Sequence, residues 1–159
     1  MGDRRNGYPE DMSAVSRTFT VELAPALTLD YLKDFRHTEQ WDPGTRSCDR
    51  IDAGPIAEGA YWHNVCKLLG LTVELTFRLD DVTDRRLVFV GENQSARITD
   101  TITVEPKRAG STITYRSDLE TYGTARIFRP LITLVLQKRA ADIERRMSSV
   151  LNRLATVDK

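Results

Sequence analysis

The hydrophobic period changes once along this chain, and that change sets what it can fold into. From Val15 to Tyr122 apolar residues recur at every second position over several stretches; from Pro130 to Ala155 they recur at every third or fourth. Side chains alternate across a strand and return to one helix face after 3.6 residues, so the chain reads as a run of strands closed by one long helix. Val15, Phe19, Val21 and Leu23 share one parity, with Thr18, Thr20 and Glu22 opposite and Arg17 breaking the apolar side. Leu71, Val73, Leu75, Phe77 and Leu79 alternate cleanly with Thr72, Glu74, Thr76 and Arg78. Further strands are predicted over Thr45–Asp52, Ala60–Leu69, Leu87–Val90, Arg97–Glu105 and Thr112–Tyr122. The helical stripe is Ile132, Leu136, Ala140, Ile143, Met147, Val150, Leu151 and Leu154, with Pro130 in the first turn where its missing N–H costs nothing. Such a helix is roughly 39 Å long.

The first strand stops at Ala24-Pro25. Thr28 is predicted to cap a short helix running through Phe35, and Thr38 to Trp41 forms one further turn, stopped by Asp42-Pro43-Gly44. Consecutive strands with short turns imply an antiparallel meander. A sheet with one apolar face must cover it, and the only large apolar helix is the last. The expected architecture is therefore α+β: a curved antiparallel sheet of six to seven strands around a long C-terminal helix, with short helices after the first strand. A twisted sheet curled around a helix encloses volume that side chains need not fill.

Composition narrows the partners. Lys+Arg and Asp+Glu are equal at 23 each, which lacks the net basic footprint of a nucleic-acid binder. Cys48 and Cys66 read as reduced thiols, and neither they nor His37 and His63 have metal-ligand spacing, so no metal is expected. No Gly-rich phosphate loop, Ser-His-Asp order or paired carboxylates stand out, and no cofactor is implied. Residues 1–11 are polar, contain Gly2, Gly7 and Pro9 and lack the apolar core of a signal peptide; they read as a disordered tail ahead of a single domain over 12–159. No stretch approaches the roughly 18 apolar residues of a spanning helix. The expectation is a soluble, cytoplasmic protein, with a homodimer left open.

Three local features are similar to a known family. Leu23-Ala24-Pro25 before a short helix, Trp41-Asp42-Pro43 at the end of the second, and Gly59-Ala60-Tyr61-Trp62 at the start of the third strand resemble, in order and spacing, the START-like (SRPBCC) superfamily, and within it the polyketide cyclase/dehydrase and lipid-transport branch. The resemblance covers roughly residues 15 to 155. It implies the helix-grip fold and a protein that binds or transports a small hydrophobic ligand, a lipid or a polyketide-like molecule, in an internal cavity. The alternative it implies is an enzyme of the polyketide cyclase, aromatase or dehydratase type using acid–base residues of that cavity.

Candidate site residues follow from the parities. Asp100 falls between Ile98 and Ile102 on an apolar parity, so it is either a pocket acid or base with a raised pKa, or else a strand-edge residue or a carboxylate paired with Arg97 or Arg116. His63 lies in a stretch whose inward face is ambiguous: Tyr61, His63, Val65, Lys67 and Leu69 form one set, and Trp62, Asn64, Cys66 and Leu68 the other. Inward it is a candidate acid–base; outward it is solvated. Tyr115 offers either a pocket hydroxyl or core packing. Asp100, His63 and Tyr115 are the catalytic candidates. Ligand contacts are expected from Trp41, Trp62, Phe77, Phe89, Tyr115 and Tyr122, with Trp41 serving either the pocket mouth or the anchoring of the short helices. Leu131, Leu134 and Val135 widen the helix's apolar sector, which either faces a cavity or is simply more buried there. Arg126, Arg129, Lys138, Arg139, Arg145, Arg146 and Arg153 read as a solvated basic face, or as a site for an acidic partner or an anionic ligand head.

Overall fold

The computed structural model describes residues 12–157; the expected tail over 1–11 lies outside the described residues. Seven strands form one antiparallel sheet: β1 (Met12–Val21), β2 (Thr45–Arg50), β3 (Tyr61–Leu68), β4 (Leu71–Val82), β5 (Arg86–Glu92), β6 (Ala96–Pro106) and β7 (Ser111–Thr121). Their order is β1-β7-β6-β5-β4-β3-β2, so β2 to β7 run as a meander and β1 joins beside β7. The helices are α1 (Pro25–Leu32), α2 (Thr38–Trp41) and α3 (Arg129–Val157), with 3-10 turns at Phe35–His37 and Gly123–Phe128. This is the helix-grip arrangement: the α3 stripe from Ile132 to Ala155 shares one hydrophobic core with the inner residues of the strands.

Each element follows from its local sequence. β7 alternates buried and half-buried residues along its whole length, the signature of a sheet with one covered face. Helix α1 begins at Pro25 with Ala24 as its N-cap, not at Thr28 as the sequence suggested. Thr28 sits inside the helix, where its hydroxyl donates to the Ala24 carbonyl at 2.9 Å. Pro25 explains the earlier start, because its fixed φ suits the first helical turn. The 3-10 turn is capped by Asp34, whose carboxylate accepts from the Arg36 N–H at 3.1 Å.

The face of β3 is settled by burial. Trp62, Asn64 and Cys66 point inward, while Tyr61, His63, Val65 and Lys67 lie on the outer face. Phe77 on β4 pairs with Gly91 on β5. A Cβ at Gly91 would stand 2.6 Å from the Phe77 ring, so only glycine lets that ring lie across the inner face.

Helix α3 is held from both sides of the sheet. Along β1, Ser13 Oγ and Thr133 Oγ1 are 2.8 Å apart, Arg17 pairs with Glu144 at 2.8 Å, and the Glu22 N–H donates to Asn152 Oδ1 at 2.8 Å. On the opposite side α2 packs against α3 beside β2. Between these attachments, Phe35 reaches down from the 3-10 turn and sits against Phe77 and Phe89 with ring centroids 4.4 and 4.5 Å away. Trp41 and Trp62 complete this cluster.

Candidate functional site

Two spaces lie end to end under the helix, on adjacent rungs of the same inner face. The outer one is an apolar pocket of about 420 Å³ lined by Leu68, Leu71, Val73, Ala96, Leu119 and Ile132, among others. The inner one is a void of only about 30 Å³, bounded by Leu75, Ile98 and Leu136 and by the side chains of Asp42, Asn64, Asp100, Tyr115, Ser117 and Arg139. Along β4, β6 and α3 the step from outer to inner lining is one strand repeat or one helical turn: Val73 to Leu75, Ala96 to Ile98, Ile132 to Leu136. The outer pocket is of ligand size, whereas the inner void holds little more than water.

The inner void is polar because two carboxylates meet there. Asp42 closes the turn after α2, and its side chain accepts from the Gly44 N–H at 3.0 Å and the Thr45 hydroxyl at 3.1 Å. The Arg139 guanidinium forks onto the same carboxylate, with Nε donating to Oδ1 at 2.8 Å and Nη2 to Oδ2. The pair is largely buried, with side chains 19% and 8% exposed for Arg139 and Asp42. Burial opposes the charge on Arg139, but the charge and hydrogen bonds of Asp42 outweigh it and hold the guanidinium protonated. Gly44 leaves room for this contact, since a Cβ there would lie 2.9 Å from the guanidinium carbon.

Asp100 on β6 is buried, and the Tyr115 hydroxyl donates to its Oδ1 at 3.2 Å. It pairs with neither Arg97, which faces Glu92, nor Arg116, which faces Asp118. Burial pushes its pKa up to about 6, with Ser117, Arg139 and Tyr115 pulling the other way. Burial, then the charges of Asp100 and Asp42, push the Tyr115 hydroxyl well above its ordinary range. Ser117 stands opposite Asp100 on β7, close enough to ease its charge, yet its Oγ makes no hydrogen bond of normal geometry. Thr121 Oγ1, which lines the outer pocket, is likewise buried without a partner. Orphaned buried hydroxyls are rare enough to need an explanation. Here both border the open space, where a bound molecule or water can satisfy them.

The sequence candidates divide by place. Asp100, Tyr115 and Phe77 border the inner void and Leu131 the outer pocket. Trp41, Trp62 and Phe89 belong to the packed aromatic cluster beside the void. Val135 is half-buried, while Leu134 and Tyr122 are exposed. His63 stands on the outer face with Nε2 3.5 Å from Glu74 Oε1, away from the void, because Trp62 and Asn64 take the inward positions. Arg139 corrects the reading of the basic helix face: it is turned inward while Lys138 and Arg146 are exposed. Its spacing carried the signal, since it lies three residues after Leu136 and four before Ile143, on the buried stripe. Ser117 sits on the inner parity between Tyr115 and Leu119. For Asp42 no periodic signal exists. Among the described residues no group of His, Cys, Asp and Glu is placed to hold a metal ion, and no helix is long and apolar enough to cross a membrane.

Comparisons with known proteins agree with this fold. A family model described as polyketide cyclase / dehydrase and lipid transport matches residues 12–157. The ZhuI aromatase/cyclase from Streptomyces sp. R1128 superposes with a TM-score of 0.75 at 14% identity, over 89% of this chain and 94% of that one. A START superfamily protein from Mycobacterium smegmatis gives 0.71 at 11% identity, over 89% and 98%. The di-domain ARO/CYC StfQ from the steffimycin biosynthetic pathway gives 0.71 at 12% identity, over 92% of this chain and 53% of that one. None of the curated proteins matches the chain in sequence.

The raised pKa of Asp100 has a consequence for stability. The folded protein keeps this proton up to about pH 6, whereas the unfolded carboxyl, with an ordinary value of 3.8, releases it earlier. Through that window the folded state binds more protons, so Asp100 makes stability fall as pH rises. A shift of about two pH units corresponds to about 3 kcal/mol. Asp100→Asn removes the effect. In urea unfolding the variant should be more stable than the parent by about 2–3 kcal/mol at pH 8, with the difference shrinking toward zero near pH 4. A pH-independent difference would contradict the buried, protonatable carboxyl.

Proposed function

The chain belongs to the polyketide cyclase/dehydrase and lipid-transport family, and from that premise we propose that it binds a small, mostly hydrophobic molecule by its apolar body in the outer pocket, with a polar end turned toward Asp100, Tyr115 and Arg139. The observation that carries this reading is the pairing of an apolar pocket of about 420 Å³ with a buried polar cluster one rung deeper. Burial of apolar ligand surface supplies the affinity. The orphaned hydroxyls of Thr121 and Ser117 supply polar contacts along the way inward. The inner void is too small to accept more than a ligand's tip unless Leu75, Ile98 or Leu136 change rotamer.

Binding is tested by titrating the intrinsic fluorescence with fatty acids and with polycyclic aromatic phenols. One of these classes should give a saturable change, because Trp41 lies with its ring 6.2 Å from that of Tyr115, which borders the inner void. Ala96→Trp, which fills the outer pocket, should weaken that binding by more than about tenfold, the effect of losing some 1.4 kcal/mol or more of contact. Binding that is unchanged in Ala96→Trp would place the ligand elsewhere.

A second reading is favoured by one observation: Asp100 is a buried carboxyl, its pKa raised by burial to about 6, that accepts a hydrogen bond from Tyr115 beside the void. A general acid–base works best with a pKa near the operating pH. Asp100 would take and return a proton in a cyclisation or dehydration of a poly-β-ketone, Tyr115 would orient it, and Arg139 would stabilise developing oxyanion charge. With such a substrate, Asp100→Asn should abolish turnover while binding persists. Unchanged turnover would remove Asp100 from the chemistry.

A further inference from the structure

The inner void carries more acid than base. Its bordering side chains include two carboxyls, Asp42 and Asp100, and one guanidinium, Arg139. That guanidinium is committed: its Nε and Nη2 both donate to Asp42, so the two charges cancel as a unit. What Asp100 receives is a neutral donor, the Tyr115 hydroxyl at 3.2 Å. The positive charge of Arg139 reaches Asp100 together with the negative charge of Asp42, and the two oppose each other there.

Tyr115 feels the same balance. Burial, then the charges of Asp100 and Asp42, push its hydroxyl well above the ordinary range against the pull of Arg139. Cys66, which stands near Arg139, has its thiol pushed up by burial and adds no charge. The other polar side chains at the void, Asn64 and Ser117, are neutral. A further anion placed here would be both desolvated and beside like charge, the two conditions that disfavour an ionised group most.

Size and hydrogen bonding select the same kind of tip. A volume of about 30 Å³ holds little more than one water, which is the size of a hydroxyl or carbonyl oxygen, whereas a carboxylate brings a second oxygen. Ser117 is 2% exposed and its Oγ is buried without a partner, so it can donate to either kind of ligand oxygen. Asp100 adapts to both: ionised it accepts from a hydroxyl, and protonated it donates to a carbonyl.

We propose that the inner void accepts one negative charge beyond the Arg139–Asp42 pair and no second, so that the ligand ends inward in an uncharged hydroxyl or carbonyl and Asp100 is the residue that turns a carboxylate away. This rests on the reading that the outer pocket holds the ligand's apolar body with its polar end inward, and it narrows that ligand to alcohols, phenols and ketones rather than free fatty acids. A hydroxyl that gives its proton to Asp100 moves the single charge without adding another. A carboxylate enters only with Asp100 protonated, so its binding is coupled to proton uptake wherever Asp100 is ionised.

The experiment is calorimetric titration of the full chain with two matched pairs, naphthol against naphthoic acid and decanol against decanoic acid, from about pH 5.5 to about pH 8, where the acids are ionised and the hydroxyl compounds are not. As pH rises past about 6, the acids should lose affinity by up to about tenfold per pH unit, because each must bring a proton onto Asp100 to enter. Naphthol and decanol should not share that slope. In Asp100→Asn the slope of the acids should vanish, and near pH 8 the acids should bind at least about tenfold more tightly than they bind the parent. Acids that bind as well as their hydroxyl partners at every pH, as they would with the carboxylate facing outward, would overturn the proposal. So would a slope that survives in Asp100→Asn. Either result leaves the pocket reading standing as long as Ala96→Trp weakens the bound compounds. Absence of saturable binding by all four compounds, or binding untouched by Ala96→Trp, would instead sink the pocket reading and this proposal with it.

Discussion

The fork between Arg139 and Asp42 is the contact on which the arrangement of the site depends. Helix α3 is fastened along β1 by Ser13, Arg17 and Glu22, all on one edge of the sheet. At Arg139 a bidentate ion pair from α3 reaches the chain next to the opposite edge, at the turn between α2 and β2. That turn is pre-formed for it: Asp42 is already held by the Gly44 N–H and the Thr45 hydroxyl, and Gly44 gives the guanidinium its space. A buried ion pair of this sort adds little net stability, but loss of one partner strands the other charge. It fixes where the helix lies over the sheet, and so where space is left.

The remaining space is unequally divided, and the aromatic residues explain why. Phe35 brings its ring onto Phe77 and Phe89, with Trp41 and Trp62 around it, and together they fill the middle of the grip. Beyond them, toward the N-terminal end of α3, the inner residues become Val73, Ala96 and Leu119, which are too small or too far apart to meet, and the apolar pocket opens. Asp100 lies at the boundary. Its carboxyl is destabilised as an anion by burial yet has Tyr115 and Arg139 near, so one side chain borders the inner void, has its pKa raised to about 6 and carries a stability cost. Such a cost is characteristic of groups retained for binding or chemistry rather than for folding.

The fold was legible because it is written in periodicity. The alternation of β4 and β7, the stripe of α3 and the Gly70 turn each specify an element without reference to the rest. Asp100 was legible for the same reason, being a carboxylate on an apolar parity. Arg139 was written as clearly, at i+3 from Leu136, but its charge grouped it with Lys138 and Arg146. Asp42 was hidden because its role depends on a partner 97 residues away and on the Asp-Pro-Gly turn that presents it. The faces of β3 were undetermined by pattern, since both sets of alternate residues contain apolar side chains; packing of Trp62 against Phe35 and Phe89 decides it and puts His63 outside.

The measurement that bears most directly on this account is a double-mutant cycle of Asp42→Leu and Arg139→Met, read by urea unfolding. Each single variant leaves one buried charge uncompensated and should lose about 3–5 kcal/mol, while the double variant should lose far less than the sum. Strictly additive losses, or single variants that cost nothing, would mean that the two side chains do not hold the helix across the sheet.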